Sequence, residues 1–251
     1  MNFSRQVSKG IQVFFICFGA LLLLLPIIWT FTTSFKTAPE INIVPPPILP
    51  KSFLNLNNYV VVLQRLLFAR LLLNSLVLCT LVVATSLTFS SMTGYGFAKY
   101  RFPGKEIAFF SIVAVLMVPF QSVAVPLFRW MDTLNLVDTF AGLALPLLIS
   151  SFGVILMREY CSTIPNSLIE AARIDGCSEF RIYFVIIMPL LKPAMAALAI
   201  IKFMWTWNEF FWPLLIITER KKAVVTLGLS FLSNQFFKEY HLVTALRRMK
   251  I

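Results

Sequence analysis

Charged side chains are scarce in this chain of 251 residues, since Asp, Glu, Lys and Arg together make up only 13% of it. Average soluble domains contain about 25% of these residues. Hydrophobic residues reach 59%, and the net charge is +11. We interpret the basic residues as loop residues beside lipid headgroups. The composition therefore excludes a disordered chain, a disulfide-stapled secreted domain and a nucleic-acid-binding protein.

Residues typical of catalytic and metal sites are also few. The single histidine, His241, has no acidic or thiol partner that the sequence places beside it. The four cysteines lack metal-ligand spacing, and we expect them to be apolar filler. No phosphate-binding GxxxxGK[ST] motif occurs in the chain. The sequence thus predicts no metal, no cofactor and no ATP hydrolysis by the chain itself.

Long uncharged runs dominate what remains. Four gaps of 26, 28, 22 and 19 residues separate the charged clusters, and about 20 apolar residues suffice to span a bilayer. A fifth apolar run holds only Lys202 and Glu209 as charged residues. We therefore predict an all-α integral membrane protein with a single membrane domain, 1–251. The five predicted spans are approximately 11–31, 73–98, 107–128, 139–157 and 193–218.

Basic residues indicate the orientation. With the N-terminus in the cytoplasm, nine Lys and Arg lie on the cytoplasmic side and five in the first two outer loops, as the positive-inside rule favours. The basic residues after 218 reverse this count if 193–218 is the last span.

Run 11–31 is too long for a signal peptide and is predicted to be an uncleaved anchor.

An outer segment links the first two spans. Five prolines lie between Thr37 and Tyr59, so we expect this stretch to be extended rather than helical. A short amphipathic helix from Tyr59 to Leu67 is predicted to follow and to lie along the membrane surface.

The loop at 158–192 carries helix start and stop signals. Ser167 and Glu170 have the spacing of a capping box, Gly176 stands where a left-handed residue would end a helix, and Ser178 can cap another. We predict a short helix from Leu168 to Asp175, a turn and a second helix start.

One face of that short helix combines small and apolar residues, namely Leu168, Ala171, Ala172 and Asp175. Two interpretations are open. The loop is either a surface loop packed on its own bundle, or it is a docking element for a cytoplasmic partner.

The charged residues of the fifth span need an explanation, because a charge at the bilayer centre costs about 3 kcal/mol. Lys202 and Glu209 are two helical turns apart and share one face of a continuous helix. Glu209 is predicted either to lock helix packing by a hydrogen bond, or to line a translocation path with Asn208. Lys202 has no assigned role. Three tryptophans are predicted to be interfacial anchors or sugar-stacking groups: Trp205, Trp207 and Trp212.

The segment EAARIDG at 170–176, with Ile187, Pro189 and Pro193, resembles the EAA loop of permease subunits of binding-protein-dependent ABC importers. Segments 74–76, 95–104 and 207–213 are similar to the maltose-type carbohydrate-uptake branch. The similarity covers roughly 10–236. It implies the type I ABC importer permease fold, with a coupling helix at Leu168–Gly176 that fits a groove on an ATPase subunit. The implied ATPase-coupling residues are Glu170, Ala171, Ala172, Arg173, Asp175 and Gly176.

The resemblance also implies partners and a location. These are ATP-binding cassette ATPase subunits, a second permease subunit in a heterodimer, an extracytoplasmic solute-binding protein and a sugar, in the bacterial inner (cytoplasmic) membrane. Glycerol phosphate or a polyol is an alternative substrate. An ATP-independent secondary transporter leaves the capped loop unexplained, and an intramembrane enzyme would need a nucleophile with a base or a metal cluster within the spans.

The end of the chain departs from that family. Members continue past the position of Tyr240 into a sixth membrane helix, whereas here a basic tail, 240–251, follows. We therefore expect five membrane helices with the sixth missing, through truncation or a frameshift after about residue 240.

Overall fold

The structure of the protein, a computed structural model, describes residues 2–65 and 67–235. The tail predicted to be abnormal, 240–251, lies outside these residues. Every regular element in the described part is helical. The longer α-helices are α1 (Asn2–Ser34), α3 (Asn57–Arg65), α4 (Phe68–Lys99), α5 (Lys105–Met117), α6 (Phe120–Thr133), α8 (Ser151–Ser162), α9 (Asn166–Ile174), α12 (Lys192–Asn208) and α14 (Val225–Gln235). The shorter ones are α2 (Ala38–Ile41), α7 (Phe140–Ala144), α10 (Glu179–Arg181), α11 (Met188–Leu190) and α13 (Phe211–Ile216), and a π-helix covers Ile182–Ile187.

Three stretches of the described chain are helical, long and apolar enough to cross a bilayer: Ile11–Ser34, Phe68–Lys99 and Phe140–Ser162. Two bent helix pairs raise this to as many as five. One pair is α5 with α6, bent by 102°, and the other is Glu179–Leu190 with α12, bent by 73°. The described chain is therefore an all-α protein with membrane-spanning character.

The predicted span 107–128 is two helices rather than one. Val118 is extended, with φ −87° and ψ 118°, and Pro119 occupies the N-cap position of α6. A proline disfavours the helical conformation in the residue before it, so the helix breaks there and the chain turns. The apolar run alone could not reveal this bend.

The predicted span 193–218 is also divided. Helix α12 ends at Asn208, Glu209 is extended with ψ 127°, and α13 begins at Phe211. Because the helix stops there, Lys202 and Glu209 do not lie on one continuous helix, and the expectation of a shared helical face is wrong.

The chain divides into two compact units. Among the described residues, the first comprises those up to Arg70 together with those from Gly228 to Gln235. Its proline-rich stretch is not wholly extended, since Ala38–Ile41 forms one helical turn. The Glu40 carboxylate accepts hydrogen bonds from the backbone N–H groups of Thr37 and Lys51, each at 2.7 Å. A helix is present near the predicted Tyr59–Leu67 segment, as α3 at Asn57–Arg65, two residues earlier. Its position along the membrane surface stays a prediction.

The second unit, Leu71–Leu227, packs through small residues. A Cβ atom added to Gly94 on α4 would lie 2.6 Å from the Cβ of Met157 on α8. A Cβ added to Gly153 on α8 would collide with Ser90 of α4. Small residues let helix backbones approach closely where lipid supplies no hydrophobic driving force. Helices α4 and α8 are thus in direct backbone contact.

Candidate functional site

The first helix wholly inside the loop at 158–192 is α9, because residues up to Ser162 belong to α8. It begins two residues before the predicted start at Leu168. Pro165 occupies the N-cap position without a side-chain hydrogen bond, and Asn166 is the first helical residue. Ser167 therefore lies inside the first turn, so the predicted capping box with Glu170 is wrong. Instead, the Lys99 ammonium at the end of α4 donates to the Asn166 side-chain oxygen at 2.9 Å and to the Ile164 carbonyl.

The end of α9 follows the prediction. Gly176 has φ +75°, its N–H donates to the Arg173 carbonyl at 3.0 Å, and the Cys177 N–H donates to the Ala172 carbonyl at 2.9 Å. This pair of bonds is a Schellman motif, which requires a left-handed residue. The Ser178 hydroxyl then accepts from the Arg181 N–H and starts α10. The predicted stop and the second start are both confirmed.

The inner face of α9 packs on its own bundle. Ile169 and Ala172 are 4% and 5% exposed, and they join a core that includes Cys161 of α8, Tyr95 of α4 and Tyr183 of the π-helix. Ala172, predicted to belong to the docking face, is therefore on the buried face of α9. The interpretation of a loop packed on its own bundle is correct for this face.

The outer face of α9 has no cover in the described chain. Leu168 is 44% exposed and Ile174 is 86% exposed, and Glu170, Ala171 and Asp175 are also exposed. Large apolar side chains this exposed on a loop are typical of an interaction site. Ile174 was missed in the sequence, although it follows Ala171 and Leu168 at intervals of three residues.

Arg173 is held by neighbours that the sequence did not identify. Its Nε and Nη2 donate to the two carboxylate oxygens of Glu179, at 2.7 and 3.2 Å. The Tyr100 hydroxyl, just past the end of α4, donates to the same carboxylate. Burial and the hydrogen bond to Glu179 raise the pKa of Tyr100 above its usual value. Only tertiary structure brings Tyr100 to this position.

Asn208 and Glu209 lie at the break between α12 and α13. Asn208 is exposed and donates to the Met204 carbonyl at 2.8 Å. One Glu209 carboxylate oxygen accepts from the N–H groups of Phe211 and Trp212, at 3.0 and 3.2 Å. The geometry favours a packing role for Glu209. Among the described residues, no ion pair joins it to Lys202 within 4.0 Å.

The three predicted aromatic anchors differ in environment. Trp212 is fully buried, and its indole N–H donates to the Gly142 carbonyl at 3.2 Å, so it is a core residue, and both predicted roles are wrong for it. Trp205 is 52% exposed and lies edge-on to Phe152. Trp207 stacks on Phe203. Only these two are available for an interface.

A protein-family model matches more than half of the chain. Residues 86–246 match the family described as binding-protein-dependent transport system inner membrane component. This match includes the 158–192 loop and both residues at the α12–α13 break.

Individual relatives agree with that match. The chain is 37% identical over 150 residues to the arabinooligosaccharides transport system permease protein AraQ of Bacillus subtilis, covering 60% of this chain and 53% of that protein. It thus spans about half the length of that relative. It is 32% identical over 237 residues to the sn-glycerol-3-phosphate transport system permease protein UgpE of Rhizobium meliloti, covering 90% of this chain and 82% of that protein.

Solved structures share the fold. A chain of the crystal structure of a bacterial ABC transporter involved in the import of the acidic polysaccharide alginate matches 99% of this chain and 93% of its own length. The TM-score is 0.87 and the identity is 25%. The predicted fold class, the type I ABC importer permease fold, is therefore confirmed.

Proposed function

Because this chain belongs to the family of inner membrane components of binding-protein-dependent transport systems, we propose that it is the transmembrane permease subunit of an ABC transporter. The transporter imports a sugar across the bacterial cytoplasmic membrane. Its partners are ATP-binding cassette ATPase subunits, a second permease subunit and an extracytoplasmic solute-binding protein. ATP hydrolysis belongs to the separate ATPase subunits, and this chain supplies the path and the docking element.

The observation that carries the proposal is the two-sided character of α9. Its inner face is fixed to the core by Ile169 and Ala172, while Leu168 and Ile174 are exposed on its outer face. A helix held in this way moves with the bundle when a partner pushes on it. We assign the outer face to the cytoplasmic side, where the ATPase subunits bind.

The predicted coupling residues take different roles in this proposal. Glu170, Ala171 and Asp175 are exposed and contact the ATPase subunit. Ala172 packs the inner face of α9 against the core. Gly176 supplies the left-handed turn that ends α9.

The mechanism follows from this arrangement. ATP closes a pair of ATPase subunits, each of which moves a docked α9, and the two permease subunits turn from inward-open to outward-open. The binding protein then delivers the sugar on the outer side. Asn208 and Glu209 are proposed to line the path, with the Asn208 amide as the sugar contact because one Glu209 carboxylate oxygen already accepts two backbone hydrogen bonds.

Co-purification tests the docking assignment. An affinity-tagged permease carrying Ile174→Asp is expected to lose its ATPase subunit, because a carboxylate cannot enter an apolar contact without a large desolvation cost. The matched control is Ser162→Asp, an exposed residue of the same loop outside α9. Retention of the ATPase subunit by Ile174→Asp as well as by the control would overturn the proposal.

Glycerol phosphate is a second candidate substrate. It is favoured by 32% identity to a relative named for sn-glycerol-3-phosphate transport over 90% of this chain. Uptake of labelled oligosaccharide and of labelled sn-glycerol-3-phosphate, measured in cells with the complete transport system, separates the two. Uptake that persists after loss of the ATPase subunits would instead indicate a secondary transporter.

A further inference from the structure

Tyr100, Glu179 and Arg173 form a hydrogen-bonded triad at the C-terminal end of α9. Arg173 makes a two-pronged ion pair with Glu179 at 2.7 and 3.2 Å, and the Tyr100 hydroxyl donates to the same carboxylate. We propose that this triad carries the movement of α9 into α4, with Tyr100, the residue that directly follows α4, as the positioning residue. The proposal rests on the proposed function of α9 as the docking element.

The triad is one of two ties between α4 and α9. At the start of α9, the Lys99 ammonium donates to the Asn166 side chain at 2.9 Å. At its end, Tyr100 reaches Arg173 through Glu179. Lys99, the last residue of α4, and Tyr100, which follows it, are therefore linked to the two ends of α9, Tyr100 through Glu179. A helix tied at both ends cannot pivot without moving α4.

Apolar packing at the C-terminal end of α9 is limited to Ala172 and, after the turn, to Cys177, which is only partly buried. Ala172 is its last buried residue, and Ile174 beyond it is 86% exposed. A methyl group gives little resistance to a sideways shift, whereas the planar guanidinium fits a carboxylate in one geometry. The triad thus supplies the directional restraint that the core lacks at this end.

The triad contributes direction rather than stability. The side chains of Arg173 and Glu179 are each 46% exposed, and exposed ion pairs contribute little to folding because water screens them. A docked ATPase subunit would exclude water from this region and strengthen the pair. The restraint is therefore strongest when α9 is being pushed.

This arrangement also gives Arg173 a role distinct from that of its neighbours. Its guanidinium already donates to both carboxylate oxygens of Glu179. We therefore infer that Arg173 acts within the permease, and that Glu170 and Ile174 make the direct contacts with the ATPase subunit.

The test compares Tyr100→Phe with wild type in the complete transporter, reconstituted in vesicles with its binding protein. This change removes only the hydroxyl and leaves the ring, which contacts Tyr95 edge-to-face. We expect unchanged association of the ATPase subunit and unchanged ATP hydrolysis. The amount of sugar imported per ATP hydrolysed should fall about two- to fivefold, the range that corresponds to an exposed charged contact. Glu179→Gln should give the same split between hydrolysis and import.

Tyr160→Phe is the matched control, because it removes a phenol hydroxyl from the same end of the bundle and outside the triad. The proposal would be overturned if Tyr100→Phe imported as much sugar per ATP as wild type. It would also be overturned if Tyr100→Phe and Tyr160→Phe lowered the sugar imported per ATP by the same factor.

The docking of α9 is tested by a different measurement, the association of the ATPase subunit with the Ile174→Asp variant. Failure of the triad and failure of α9 docking therefore give different results.

Discussion

Glu209 accepts a hydrogen bond from the backbone N–H of Trp212 at 3.2 Å, and a second from Phe211 at 3.0 Å. The carboxylate at the end of α12 thus caps the start of α13. The Glu209 carbonyl also accepts from the Thr226 hydroxyl at 2.7 Å. The break in the predicted fifth span is therefore a hydrogen-bonded joint.

Replacing Glu209 tests which of its two roles matters. Glu209→Ala removes the cap and should lower stability by about 1 kcal/mol, as other cap losses do. Glu209→Gln keeps an acceptor oxygen and should melt close to wild type. Thermal unfolding of the purified complex measures both. A Gln variant that melts normally but fails to import sugar would show that the carboxylate also acts in the path.

Gly94 and Gly96 make a matched pair on α4. Gly94→Ala should destabilise the protein by about 1–3 kcal/mol, because the new Cβ would lie 2.6 Å from the Met157 Cβ and 2.7 Å from the Arg158 nitrogen. Gly96→Ala should be tolerated, since nothing lies within 4 Å of a Cβ there. Thermal unfolding and yield of folded protein compare the two. Equal stability of both variants would contradict the close contact of α4 and α8.

Gly176→Leu should weaken association of the ATPase subunit, although its Cβ would contact no neighbouring atom. The residue has φ +75°, and nothing lies within 4 Å of a Cβ added to it, so the cost is backbone strain of about 1–2 kcal/mol. Gly176→Asn is the control, because asparagine tolerates the left-handed conformation. Affinity co-purification with the ATPase subunit provides the measurement. Full association of the Leu variant would argue against a requirement for this turn.

The environment of the Asp138 carboxylate predicts that the stability of the folded protein depends on pH. The backbone N–H groups of Glu219 and Thr218 donate to its carboxylate at 3.0 and 2.9 Å, and Lys222 adds an ion pair at 3.2 Å. These contacts hold the pKa of Asp138 below its usual value. A lowered pKa stabilises the folded state above the unfolded pKa, and the gain is lost as the pH falls through the folded value.

Wild type should therefore lose thermal stability as the pH falls below about 4, and Asp138→Asn should show a shallower loss. The control is Asp132→Asn, which alters an exposed aspartate of the neighbouring helix end. Melting temperatures in detergent between neutral and acidic pH provide the comparison. An Asp138→Asn profile parallel to that of wild type would count against this assignment.

Local signals in the sequence were sufficient for much of the 158–192 loop. Gly176 ends α9 because glycine adopts positive φ without strain, and Ser178 starts α10 because its hydroxyl lies next to open N–H groups. Charge-free length indicated where apolar helices run. It could not locate the bend at Pro119 or the break at Glu209, since apolar residues continue on both sides of each position.

The sequence by itself determined that the chain forms apolar helices and that a short helix ended by Gly176 lies between two of them, because length, hydropathy and turn residues are local properties. Only the tertiary structure decided which face of α9 is available. In the folded chain Ala172 is buried and Ile174 is exposed. Arg173 and Tyr100 both donate hydrogen bonds to the Glu179 carboxylate. Tyr100 and Glu179 are 79 residues apart, so packing of separate helices alone brings them into contact.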